Sequence, residues 1–136
     1  MTKPRSVDQH RRFFAIMKAA YNHWPESHRF KPVNSEHLRA WLLVRAGHSF
    51  ITTFDFGDDG DAVAKAVPIV VARMKLGHVW CDVRNGAMHV AAPRSIAFDK
   101  LGHHEFCKLN DDVDEVIRVE TGLDPEALMR ETEAAA

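Results

Sequence analysis

Apolar positions in the first fifty residues recur at intervals of three and four, drop to an interval of two from residue 48, and return to three and four near residue 103. That order predicts helices, then strands, then helices. Phe13, Met17, Ala20, Tyr21 and Trp24 form the first stripe, with Phe14 and Ile16 beside it. The spacing predicts a helix to about His23 with Arg11, Ala15, Lys18 and Asn22 on its wet face. Ser6 and Gln9 have the spacing of a capping box, Asp8 suits the positive end of the helix dipole, and Trp24-Pro25 ends the element.

After a polar loop over 25–33, Asn34-Ser35-Glu36 reads as a second cap. Leu38, Trp41 and Leu42 mark about three turns, closed by Gly47. In 48–56, Phe50, Thr52, Phe54 and Phe56 share one side of a strand, and Gly57–Asp61 is a surface turn. Residues 62–76 are ambiguous: Ala62–Ala66 favours helix and Ile69-Val70-Val71 suits a buried strand, and the preferred reading is a helix kinked or restarted at Pro68. Asn85-Gly86 between 79–84 and 87–92 predicts a hairpin, because a type I′ turn needs two residues tolerant of positive φ. A short extended segment is expected at 96–98. From His103 to Thr121, Phe106, Leu109, Val113, Val116 and Ile117 predict a helix whose outer face carries Asp111, Asp112, Asp114 and Glu115. Gly122 stops it, and Asp124-Pro125 starts a last short helix.

The expected fold is α+β, one domain over 1–136: a small antiparallel sheet (strand plus Asn-Gly hairpin) covered by three to four amphipathic helices through their Phe13/Trp24, Trp41 and Phe106/Ile117 faces. It divides into a basic helical half (1–50), a sheet region (48–98) and an acidic helical part (99–136). The 136 residues, 46% hydrophobic and 27% charged, suit one globular domain rather than a disordered chain. No apolar run reaches membrane-spanning length, Met1–Arg5 lacks a signal-peptide core, and two cysteines make no disulfide framework, so a reducing cytoplasm is the expected compartment.

Charge changes this picture most. The formal net charge of −1 argues against a nucleic-acid partner until the chain is divided. Residues 1–50 hold nine Lys/Arg against three acids, whereas residues 99–136 hold four against eleven. Such asymmetry points to a polyanion-binding face with an acidic counterpart. Arg5, Arg11, Arg12, Lys18 and Arg45 are the candidate phosphate holders, and Trp24 or Trp41 would stack on bases if exposed, though their helical spacing suits the core better.

Other chemistry finds less support. His78/Cys81 and His104/Cys107 have ligand-like spacing, but residues three apart on a strand face opposite ways, and His103/Cys107 on a helix supply only two ligands. The Asp55–Asp61 turn lacks the acid an EF-hand needs at its third and twelfth positions. No nucleophile elbow or phosphate-binding glycine pattern occurs, and Asp55, Asp58, Asp59 and Asp61 remain the candidates for a metal-dependent nuclease. No metal or cofactor is expected.

Three blocks carry a family resemblance: Pro4-Arg-Ser-Val-Asp-Gln-His-Arg-Arg-Phe-Phe-Ala15, Arg39-Ala-Trp-Leu-Leu-Val-Arg-Ala-Gly-His48, and Pro93-Arg-Ser-Ile-Ala-Phe-Asp-Lys-Leu101 through Glu105-Phe106. In this order they resemble an uncharacterised phage and prophage family found among lambdoid replication and recombination genes. The first block and the tryptophan-bearing helix are also remotely similar to the NinB (Orf) recombination mediators, onto which Arg5, Ser6, Gln9, Arg11 and Trp41 map. The NinB resemblance implies a dimer that binds single-stranded DNA and cooperates with single-strand-binding protein.

The leading expectation is thus a non-catalytic, phage-encoded DNA-binding accessory of replication or recombination, with single-stranded DNA favoured. The alternative is an inhibitor or adaptor that engages a host protein through Asp111, Asp112, Asp114 and Glu115. A metal-dependent nuclease stands third. The complementary halves also suit pairing of two copies, so a homodimer is an expected state.

Overall fold

A computed structural model describes residues 7–58, 60–74, 78–94 and 102–135. The elements in chain order are α1 (Val7–Asn22), α2 (Ser35–Arg45), β1 (Ser49–Asp55), α3 (Gly60–Met74), β2 (Trp80–Arg84), β3 (Ala87–Pro93), α4 (His103–Thr121) and α5 (Pro125–Ala135). The strands form one antiparallel sheet in the order β1-β3-β2. This is the expected α+β class, with the strand and the hairpin in one small sheet.

Local chemistry sets most boundaries. The Asn34 side chain accepts the His37 N–H at 2.7 Å, capping α2. At the other end Gly47, at φ +85°, donates to Val44 O, and His48 donates to Leu43 O, the paired bonds of a Schellman motif. Gly122 closes α4 in the left-handed region, and the Asp124 side chain accepts the Glu126 N–H at 3.3 Å to open α5. Asn85 and Gly86 both have positive φ, as a type I′ turn demands. Residues 60–74 form one helix that runs through Pro68, so of the two readings of 62–76 the helix holds over 62–74, and 75–76 lie outside the described residues. Pro68 withholds one N–H from the helical ladder but leaves the element continuous. Ser6, the expected cap of α1, and the extended segment at 96–98 lie outside the described residues.

The apolar residues form two clusters, and here the arrangement is finer than expected. Phe13, Ile16, Leu38, Leu42, Phe106, Leu109, Val113 and Ile117 are fully buried against one another, so the stripes of α1, α2 and α4 meet each other, with Leu128 of α5 closing the bundle. The sheet has a core of its own, where Met88 and Val90 of β3 pack with Val63 of α3 and with Phe54, Phe56 and Val67. The helix over this face of the sheet is therefore α3. Phe50, on the same side of β1 as Phe54, is 63% exposed, and Ile51 on the opposite face is 61% exposed.

The two clusters join through aromatic rings. Phe30 stacks on Trp41 with centroids 4.6 Å apart, and His37 stacks on Trp80 of β2 at 5.9 Å. Trp24 stands edge-on to Trp41 and donates its indole N–H to Phe30 O at 2.9 Å. Trp80 thereby ties β2 to the helical bundle, beside the direct contact of β3 with α2.

Candidate nucleic-acid interface

The basic residues of α1 fall on two sides of the helix, and their fates differ. Arg11 and Lys18 lie on the exposed face, seven residues or about 10 Å apart along the axis, and among the described residues neither has an ion-pair partner. Arg12, about 100° round the helix, turns toward α5 and bonds Glu126. A groove of about 450 Å³ runs between α1 and α5 beside this pair, lined by Arg11, Ala15, Met129 and Arg130 as well as Asp8. Arg130 of the last helix is exposed and without an ion-pair partner among the described residues. Reading α5 as part of an acidic tail conceals it, since only the packing of α5 on α1 brings Arg130 beside Arg11.

The other candidate cations are elsewhere. Arg45 donates to Glu120 at 2.8 Å and lies over the Trp41 ring at 5.5 Å. It is held by the bundle and is apart from the α1 face. Arg5 lies outside the described residues. Neither tryptophan is set out as a stacking platform: Trp41 is 8% exposed within the core, and Trp24 has its N–H committed to Phe30. Both follow the core reading of their helical spacing.

The acidic candidates also separate. Asp111 and Glu115 are exposed on α4. Asp112 is bonded to His48 Nε2 at 2.8 Å and to Lys108 Nζ at 3.1 Å, and the His48 bond leads in holding its carboxyl below the usual range. Asp114, expected on the outer face, is buried, and among the described residues one of its carboxyl oxygens has no hydrogen-bond partner. Burial pushes it up to about 6 against the opposing pull of Arg12 and Arg118, with Asp111 and Asp124 adding to the rise. The outward acidic set is thus Asp111 and Glu115, with Val119, 74% exposed, two turns from Asp111 on the same face.

Together these contacts give the segregated charges an internal use. Arg12–Glu126, His28–Glu120, Arg45–Glu120 and His48–Asp112 each join the basic first part of the chain to the acidic last part. Glu120 sits between Arg45 and His28, and their hydrogen bonds, Arg45's first, hold its carboxyl below the usual range. Part of the charge asymmetry therefore serves the fold, and Arg11, Lys18 and Arg130 are the portion left facing solvent on the α1/α5 side.

Among the described residues the ligand-like pairs do not gather into one site. The His78 ring lies 4.7 Å from that of His37, while Cys81 is exposed on β2. Burial, and behind it His78, lowers His37. Cys107 and His103 approach at 3.7 Å, and the amide of Gln9 reaches both. Among the described residues no three His, Cys, Asp or Glu side chains gather as a metal site, and in the Asp55–Asp61 turn Asp55 accepts the Gly57 N–H at 2.9 Å. A second cavity of about 630 Å³, lined by Tyr21, Trp24, Pro25, Lys31 and Pro32, lies beside the 25–33 loop and has no counterpart in the sequence motifs. Among the described residues no helix is long and apolar enough to cross a membrane. No family model, curated protein or solved structure matches the chain.

Proposed function

We propose that this chain is a non-catalytic, phage-encoded accessory of DNA replication or recombination that holds single-stranded DNA along the exposed face of α1 and the α1/α5 groove. The observation that carries the reading is the pair Arg11 and Lys18, solvent-facing on one helix face and without an ion-pair partner among the described residues, with Arg130 lining the same groove as Arg11 from α5. Ala15 and Met129 give the groove an apolar lining against which a base would rest while the cations take phosphates. Arg12 lines the same groove but is bonded to Glu126 there, and Arg45 is committed to Glu120 away from this surface. The resemblance to lambdoid replication and recombination proteins supports the same reading. A fluorescence-polarisation titration with single- and double-stranded oligonucleotides at two salt concentrations tests it. Binding of the single strand that weakens as salt rises is expected, and no binding at low salt overturns it.

A second reading has its own observation. Asp111 and Glu115 are exposed one turn apart on α4 with the exposed Val119 a further turn along, and an acidic helix face of that kind suits a basic host protein. Pull-down from host lysate with the wild-type chain and with Asp111→Lys/Glu115→Lys distinguishes it, because the variant should release a partner of this face while retaining DNA binding.

A further inference from the structure

We propose that the free edge of β1 pairs antiparallel with β1 of a second copy, in a register centred on Thr52, to make one continuous six-stranded sheet. Among the described residues nothing pairs with this edge. β1 lies at one margin of the sheet, its ladder to β3 runs unbroken from Ser49↔Pro93 to Asp55↔Ala87, and it contains no proline, bulge or lysine to discourage pairing. The ladder continues past both ends, with Arg94 N–H to His48 O at 3.0 Å and Phe56 N–H to Gly86 O at 2.9 Å. Even-numbered residues therefore exchange bonds with β3, and Ser49, Ile51, Thr53 and Asp55 direct their main-chain groups outward. Among the described residues no backbone group meets them.

The sequence of the strand identifies the occupant as its own copy. Phe50-Ile51-Thr52-Thr53-Phe54 is nearly symmetric about Thr52. Turning a second β1 about a two-fold axis there overlaps all seven residues and sets the outward-bonding Ile51 opposite the outward-bonding Thr53 of the copy. It also sets Phe50 opposite Phe54 of the copy and Thr52 opposite itself, aromatic and threonine pairs that are favourable across antiparallel strands. The one charged residue, Asp55, faces Ser49 and no like charge. Phe50, 63% exposed and with Arg94 over its ring at 5.8 Å, would extend the row that in each copy runs through Phe54 and Met88 to Val83, so its ring gains an aromatic partner on the α3-covered face.

Sedimentation of the full chain over a range of concentrations, with circular dichroism of every variant, is the test. A monomer–dimer equilibrium is expected. Thr52→Lys and Thr52→Glu each bring like charges together across the axis and should weaken association about tenfold or more, while their equimolar mixture restores it. In a Cys81→Ser/Cys107→Ser background, Thr52→Cys should form an intermolecular disulfide on mild oxidation, and Thr53→Cys should not, because only residue 52 faces itself. A wild-type chain that stays monomeric overturns the proposal. So does a dimer in which the mixture gives no recovery or Thr52→Cys fails to cross-link.

Discussion

His28 and Glu120 are 92 positions apart, and their side chains meet at 2.9 Å in the partly buried seam between the 25–33 loop and α4. His28 Nδ1 accepts the Phe30 N–H at 3.0 Å, so the ring proton sits on Nε2 and donates to the carboxylate. Arg45 takes the other carboxylate oxygen. Three segments of the chain are thus fixed by one acidic side chain, 15% exposed.

Replacing that side chain should loosen all three. Glu120→Ala leaves the half-buried imidazole and guanidinium without their acceptor, and a loss of about 1–3 kcal/mol in urea denaturation at pH 7 is expected. Because the Glu120 carboxyl is depressed in the folded state, its contribution is present above the ordinary glutamate range and is lost as pH falls through the lowered value. The stability of Glu120→Ala should therefore converge on that of the wild type in acid.

Asp114 has the opposite sign. Its carboxyl ionises at about 6 in the fold against 3.8 in the free side chain, so the native state takes up a proton in that interval and stability falls as pH rises across it. Asp114→Asn removes the charge that burial penalises. A gain on the order of 1 kcal/mol at pH 7.5 that vanishes below about pH 4, followed by denaturant titration at both values, is the expected result. A loss of stability at pH 7.5 would show that ionised Asp114 is more strongly held by Arg12 and Arg118 than its burial costs.

The elements are largely legible in the sequence because their signals are local: a cap at Asn34, a stop at Gly47 and Gly122, a turn at Asn85-Gly86, and stripes of period 3.6. What escapes is set by packing. Asp114 reads as one of the outer acids, since at 100° per residue it lies about 110° from the centre of the Phe106/Ile117 stripe, yet packing of the neighbouring elements buries it. Glu120 lies within about 20° of that centre, at the C-terminal end of the stripe. Phe30 reads as part of a polar loop because a single aromatic has no period, although it carries the stack that joins Trp41 to the sheet. For the candidate interface, Arg11 and Lys18 are readable from the wet face of α1. Arg130 is not, since nothing in an acidic C-terminal segment announces which neighbour its last helix will choose.

Gly86 offers a sharp test of the hairpin. It sits at φ +74°, and a Cβ there would meet Gly57 O at 1.6 Å, backbone that cannot swing aside. The turn tip and the β1–α3 connection are therefore locked together, with Phe56 N–H bonded to Gly86 O. Gly86→Ala combines a left-handed penalty with this overlap, and a destabilisation of about 2–4 kcal/mol is expected. Gly47, also at positive φ, has open space around it, so Gly47→Ala should show the conformational cost alone, about 1 kcal/mol. Comparing the two by thermal denaturation separates the clash from the backbone preference.

The division of cations into free and committed predicts two kinds of variant. Arg11→Glu and Lys18→Glu alter a solvent-facing surface, so each should lower single-strand affinity severalfold and flatten its salt dependence by about one counterion for each phosphate no longer held, with melting temperature nearly unchanged. Arg45→Glu instead opposes Glu120 with a like charge and strips Trp41 of the guanidinium above it. It should cost about 1–3 kcal/mol of stability and leave the salt slope of binding intact once measured well below the melting transition. Arg12→Glu tests the boundary between the two groups, since Arg12 lines the α1/α5 groove yet bonds Glu126 within it. If the groove holds DNA, Arg12→Glu should lower affinity, and pairing it with Glu126→Arg should recover stability and part of the binding. If all four variants bind alike, the α1 face is not where the strand lies.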